Sequence, residues 1–194
     1  MKKVSKKLKL KISIIILIVL ILVVISIFGY DKITANKKNN ETSKIIYEFY
    51  QSLKAEEDLD LEIEGNKVIG IIVIDKIGIR YPIIEYKNID SLNISICKYS
   101  GPDINQEGNL CLMGHNMRNG VFFSNLYKLE NGDNIEIVNM FGKSVKYIMY
   151  DKYYIEPTEM KVLESSSEEL KEVTLITCNN SSNKRLIIKL REVY

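Results

Sequence analysis

A mainly β domain, either a sandwich or a closed barrel, carried on one N-terminal transmembrane helix is the architecture that the sequence predicts. Three features predict it. An uncharged apolar run, Ile12 to Tyr30, lies near the start of the chain. Seven short segments rich in Ile, Val and Tyr follow from Val68 onward, and the connections between them are too short for repeated βαβ units. The 194 residues, 46% hydrophobic and 27% charged, suit one ordinary domain with an appendage and exclude collagen-like, low-complexity and wholly disordered chains. Lys+Arg 27 against Asp+Glu 25 leaves a net charge of +2, which gives no reason to expect nucleic acid as a partner.

Residues 1–11 carry six lysines (Lys2, Lys3, Lys6, Lys7, Lys9, Lys11), and without them the rest of the chain is mildly acidic. Residues 12–30, ISIIILIVLILVVISIFGY, have no charge, and a helix of that length reaches about 28 Å, close to the hydrocarbon thickness of a bilayer. A cleaved signal peptide would have a shorter apolar region ending in an Ala-x-Ala-like site, and none follows. The lysines precede the helix, so the positive-inside rule keeps residues 1–11 in the cytoplasm and sends Asp31 onward outside. Asp31 to Asn40 is short, polar and unpatterned and reads as a stalk. From Glu41 to Asp58, Ile45, Ile46, Phe49, Tyr50 and Leu53 recur at helical spacing, with Thr42 or Ser43 placed to cap an amphipathic helix. Residues 31–64 thus join the anchor to a domain spanning 65–194.

In that domain the period changes. Val68 to Ile74, Ile79 to Ile84, Asn109 to Met113, Asn134 to Val138, Val145 to Tyr154, Val173 to Thr177 and Arg185 to Val193 read as strands separated by Gly, Asn, Asp or Pro. Asn131-Gly132-Asp133 marks a turn between two of them.

Three cysteines, Cys97, Cys111 and Cys178, are an odd number and too few for a disulfide scaffold, so an exported domain keeps at least one free thiol unless it pairs with another chain. Cys178 ends one strand segment and precedes the polar turn Asn179-Asn180-Ser181-Ser182-Asn183, whereas the usual fate of a free cysteine is a small buried hydrophobe. Arg185 opens the next strand seven residues later. A hairpin could bring its guanidinium to the sulfur, and an adjacent cation favours the reactive thiolate. An arbitrary arginine at a strand end is, equally, an exposed charge. Cys111 alternates with apolar neighbours and reads as core; Cys97 is bland apart from Lys98 beside it. The one histidine, His115, follows an apolar run and Gly114, at a strand end entering a loop, although a lone histidine is more often structural. Three cysteines and a histidine match a zinc inventory, but no C-x2-C pair is present. No G-x-S-x-G elbow and no phosphate-binding G-x-x-x-x-G-K-[ST] loop appears either.

Thr174-Leu175-Ile176-Thr177-Cys178, an arginine on the following strand, and Gly114-His115-Asn116-Met117 some sixty residues earlier together resemble the sortases, cysteine transpeptidases of Gram-positive bacteria. The resemblance runs roughly from Gly65 to Tyr194, and an anchor with its N-terminus inside is also usual there. Asn119 to Leu126 and Leu129 to Asp133 add further agreement. The resemblance implies a closed eight-stranded β-barrel with short helices and a groove in which Cys178, His115 and Arg185 converge. It implies that Cys178 attacks a sorting signal of the L-P-x-T-G type near the C-terminus of a surface protein, forming a thioester that an amine of a peptidoglycan precursor resolves. His115 then acts as acid and base, Arg185 holds substrate and oxyanion, and Thr177 touches the signal.

Subclass features are mixed. The histidine segment looks like class B, while Ile155-Glu156-Pro157-Thr158 and the cysteine motif look like classes A and D. Only Ser166 to Glu172 is available for the helical insertion usual before the class B cysteine strand. The only prolines are Pro82, Pro102 and Pro157, so the Asp-Pro-aromatic lid of class C is missing. Some sortases bind calcium, for which Glu107 and Glu156 are conceivable ligands, but exposed carboxylates are usually just solvated. No metal and no cofactor is assigned. The rival expectation is a catalytically silent tethered β-domain that binds cell-wall or partner proteins.

Overall fold

A computed structural model describes residues 6–55, 60–159, 161–165, 169–179 and 181–193. Lys2 and Lys3 of the basic block and the predicted end of the amphipathic helix at Asp58 lie outside the described residues. Helix α1 (Lys6–Ala55) runs for 50 residues without a break. It is long and apolar enough to cross a membrane, and the apolar stretch is not buried against the protein. Asp31 to Asn40, the segment read as a stalk, continues this helix. The sequence there holds neither glycine nor proline to interrupt the backbone, and tertiary contacts fix one face. Ala35 packs on the barrel, Tyr81 Oη donates to Asn39 Oδ1 at 2.7 Å, and Lys38 Nζ donates to Glu64 Oε1 at 2.9 Å. Farther along, Ile46 and Phe49 are buried against Ile71, Val73 and Val138, as the helical spacing of that segment predicts.

Nine strands follow among the described residues: β1 (Glu62–Ile63), β2 (Asn66–Ile74), β3 (Ile79–Glu85), β4 (Ile96–Ser100), β5 (Gly108–Met113), β6 (Asn134–Asn139), β7 (Ser144–Ile155), β8 (Lys171–Cys178) and β9 (Arg185–Glu192). Their pairing order is β1-β2-β3-β4-β5-β8-β9-β7-β6, and β2 also pairs with β6. That last pairing closes an eight-stranded barrel from β2 to β9, with β1 a short antiparallel extension of β2. The β3–β4 and β5–β8 pairs are parallel and the others antiparallel.

All seven strands expected from the sequence are present, with ends shifted by at most two residues. Two were not expected. β1 is only two residues long, and β4 (Ile96-Cys97-Lys98-Tyr99-Ser100) carries a lysine and a serine that blur its alternation. It follows the single turn α2 (Ser91–Ile94) and bridges β3 to β5, a pairing that no local pattern announces. In the Ser166 to Glu172 segment, the only one available for a helical insertion, Lys171 and Glu172 belong to β8, and Ser166 to Glu168 lie outside the described residues.

The barrel interior is filled by inward residues such as Ile72, Ile83, Leu112, Phe123, Leu175 and Ile188. One polar cluster is buried there: Asn105 Nδ2 donates to the Ile137 and Lys143 carbonyls at 3.0 Å each, and its Oδ1 accepts from Tyr147 Oη at 3.1 Å.

Candidate active site

Two ladders bring distant residues together. β8 and β9 form a hairpin in which Cys178 stands directly opposite Arg185, and Asn179 N donates to the Lys184 carbonyl at 2.9 Å across the turn. β5 runs parallel to β8 with Met113 beside Ile176. The ladder continues one step beyond β5, because Gly114 N donates to the Ile176 carbonyl at 3.1 Å. Counting two residues on from Met113 and Ile176 places His115 beside Cys178 on the same face. Gly114 is required at this step: a Cβ there would lie 2.8 Å from the Phe123 ring.

The sulfur and the guanidinium touch, with Arg185 Nη1 donating to Cys178 Sγ. His115, Thr177, Cys178 and Arg185 line one small cavity, walled by Ile89 and Leu92 from the α2 region. On its other side Cys178 borders a wider groove formed with Asn116, Ser124, Tyr127 and Tyr154. The nucleophile candidate therefore stands at the junction of two hollows, one lined by the His115 imidazole and the Arg185 guanidinium and the other by Asn116 and the two tyrosines.

Burial sorts the three thiols. Cys97 and Cys111 are completely buried, whereas Cys178 is partly exposed. Burial pushes the Cys97 thiol up to about 12, helped by the Glu85 charge, and burial also raises Cys111. Both are poor nucleophiles at neutral pH. His115 is held below the ordinary histidine value, first by burial and then by the Arg185 charge. Its imidazole consequently rests neutral near pH 7 and can accept a proton from a thiol.

The loop that carries His115 is pinned. Phe123 N donates to the His115 carbonyl at 3.0 Å, and Met117 N donates to Ser124 Oγ at 2.8 Å. Phe122 takes a left-handed φ of 54° while its ring is buried against Tyr81, so packing holds a backbone conformation that a non-glycine residue ordinarily avoids. The groove wall at Tyr127 is fixed from β7, where Lys152 Nζ donates to the Tyr127 and Leu129 carbonyls at 3.1 and 2.6 Å.

Thr177 is buried, and its hydroxyl donates to the Gly114 carbonyl at 2.7 Å. It ties the histidine turn to the cysteine strand while lining both hollows. Asn116, which sequence reasoning passed over, donates from Nδ2 to the Cys178 carbonyl at 2.9 Å and clasps the same junction from the other side. Its place next to His115 was the signal available. Ile89 and Leu92 had none, since their position depends on the unforeseen β3–β4 crossover.

For a metal the arrangement offers little. Among the described residues no group of three His, Cys, Asp or Glu side chains converges. Glu156 pairs with Lys184 at 3.4 Å, and Glu107 precedes β5 at the end away from His115.

The Sortase domain family model matches residues 72–193, more than half of the chain. A comparison with curated proteins returns no match. Among solved structures, a Clostridium perfringens sortase D5 transpeptidase is 25% identical with a TM-score of 0.64, covering 81% of this chain and 98% of that one. Sortase A from Corynebacterium diphtheriae is 24% identical with a TM-score of 0.60, covering 66% of this chain and 62% of that one. Sortase C-1 from Actinomyces oris is 21% identical with a TM-score of 0.60, covering 77% and 99%. Barrel closure and family match agree: this chain belongs to the sortase family of cysteine transpeptidases.

Proposed function

We propose that the chain is a membrane-anchored sortase that cleaves an L-P-x-T-G-like C-terminal sorting signal and transfers the surface protein to an amino group of a peptidoglycan precursor. The observation that carries this reading is the shared cavity of Cys178, His115 and Arg185, with the guanidinium bonded to the sulfur.

His115 takes the Cys178 proton, and the thiolate attacks the threonine carbonyl of the signal seated in the groove between Tyr127 and Tyr154. Arg185 moves its hydrogen bond from sulfur to the developing oxyanion. The imidazolium then donates its proton to the departing glycine amine as the C–N bond breaks, leaving a thioester. The neutral imidazole next removes a proton from the incoming amine, whose nitrogen displaces Sγ and forms the new amide. Thr177 borders the bound signal through the part of its side chain that lines the groove.

No metal or cofactor takes part in these steps. In this reading α1 spans the membrane with the lysines cytoplasmic and the barrel outside. Tethering both enzyme and substrate to one bilayer raises their effective concentration, so that a short motif suffices for recognition.

Incubating the chain with an L-P-x-T-G peptide and an amine acceptor tests the proposal. Cleavage with transfer, lost in Cys178→Ala, is expected; unchanged cleavage in that variant would refute it.

A further inference from the structure

The loop after His115 reaches the N-terminal anchor. Arg118, three residues beyond the histidine, donates from Nε to Asp31 Oδ2 at 2.9 Å across 87 residues of sequence. Asp31 is the first charged residue after the apolar run. Arg118 remains 70% exposed, has no other partner among the described residues, and keeps its terminal nitrogens for a further acceptor. Between its guanidinium and α1 lies a hollow walled by the apolar Val19, Leu22, Val23 and Ile27, with Ser26 among them and Tyr30 and the Arg118-paired Asp31 at its upper rim. Apolar walls below and a cationic fork above are the complement of a phospholipid: acyl chain along the helix, phosphate at the arginine. Exposed Lys32 adds a second cation at this level, and exposed Tyr30 has the amphipathic ring that membrane interfaces favour.

We propose that Arg118 binds the phosphate of an anionic phospholipid in this hollow, docking the histidine loop on the bilayer surface so that the catalytic cavity is held at headgroup height. The proposal rests on the reading of α1 as a membrane span. The helix also supplies a ruler. Phe141, 91% exposed in the β6–β7 turn, neighbours Gly142, which approaches Leu53 of α1. Leu53 is 23 residues beyond Tyr30, about 35 Å farther along the helix, so this turn marks the membrane-distal side.

The chain contains no tryptophan, so a single one introduced by Met117→Trp or, as control, Phe141→Trp reports its surroundings without ambiguity. The full chain is reconstituted into vesicles of phosphatidylglycerol or phosphatidylcholine containing brominated acyl chains, and vesicle flotation is scored first. The expected result is flotation of both variants and several-fold stronger bromolipid quenching at position 117 than at 141. Quenching at 117 should be greater in phosphatidylglycerol and should fall at least twofold when Arg118→Gln is added. Flotation with equal quenching at the two positions overturns the docking while leaving the membrane span intact. Quenching at 117 that ignores both lipid charge and Arg118→Gln overturns the phosphate contact. Failure to float overturns the span and the docking together.

Discussion

The middle of the β5–β8 ladder and the loop end just beyond it contain nearly the same side chains and put them to opposite uses. Within the ladder stand a cysteine, a threonine, an asparagine and a cation from β9: Cys111 paired with Thr174, Asn109 two residues before Cys111, and Lys189 opposite Thr174. Lys189 Nζ donates to Thr174 Oγ1 at 2.8 Å, Thr174 donates to Asn109 Oδ1 at 2.7 Å, and Asn109 Nδ2 donates to the Val162 and Glu164 carbonyls at 3.1 Å each. This set is buried and its bonds are used internally, pinning the segment before β8. At the loop end stand Cys178, Thr177, Asn116 and Arg185. Threonine and asparagine again fix the backbone, but the sulfur, the guanidinium and the neighbouring imidazole face hollows. Residue type therefore does not distinguish the two groups; what differs is that Val162 and Leu163 pack over the cluster containing Cys111, whereas Cys178 borders hollows beside a loop.

Exchanging alanine for each cysteine should separate the two groups most sharply. Cys178→Ala should cut peptide cleavage by at least ~10³-fold with the melting temperature almost unchanged. Cys111→Ala should leave kcat/KM within about twofold and destabilise by about 1–2 kcal/mol through a small cavity, measurable by urea unfolding. Next in size is the cation pair. Arg185→Lys keeps the charge but loses the planar fork, so kcat should drop ~10²-fold with folding preserved; near-normal kcat would reduce Arg185 to a bystander. Lys189→Met should be neutral to activity and neutral or stabilising in urea, because burial disfavours the lysine charge that methionine replaces.

The smallest effect is titration of His115. Its folded pKa lies below the unfolded value near 6.5, so as pH falls the unfolded chain takes up the proton first. Acidification below about 6.5 should therefore cost stability until the folded pKa is passed, and His115→Gln should remove that part of the pH dependence. The acid limb of kcat/KM should likewise sit below 6.5 and move upward in Arg185→Gln, which removes one of the two causes of the depression.

Much of the candidate site was legible because its residues mark strand ends. Cys178 before a polar turn, Arg185 opening the next strand and His115 after a glycine are local patterns, and hairpin logic alone suggested that the first two could meet. The parallel β5–β8 register that adds His115 is non-local; it depends on which strand pairs with which, and on β4, whose alternation Lys98 disrupts. The continuous helix through Asp31–Asn40 was hidden for a related reason. That segment has little apolar pattern of its own, and contacts made far away in sequence, at Tyr81, Glu64 and Arg118, give it an ordered place.

In the proposed reaction Cys178 carries the acyl group, and intact-mass and peptide-mapping spectrometry of the chain with an L-P-x-T-G peptide and no acceptor amine reads that directly. The predicted result is an acyl adduct on Cys178 alone, released by hydroxylamine as expected of a thioester. Peptide cleaved without any adduct on Cys178, or an adduct on Cys97 or Cys111 instead, would contradict it.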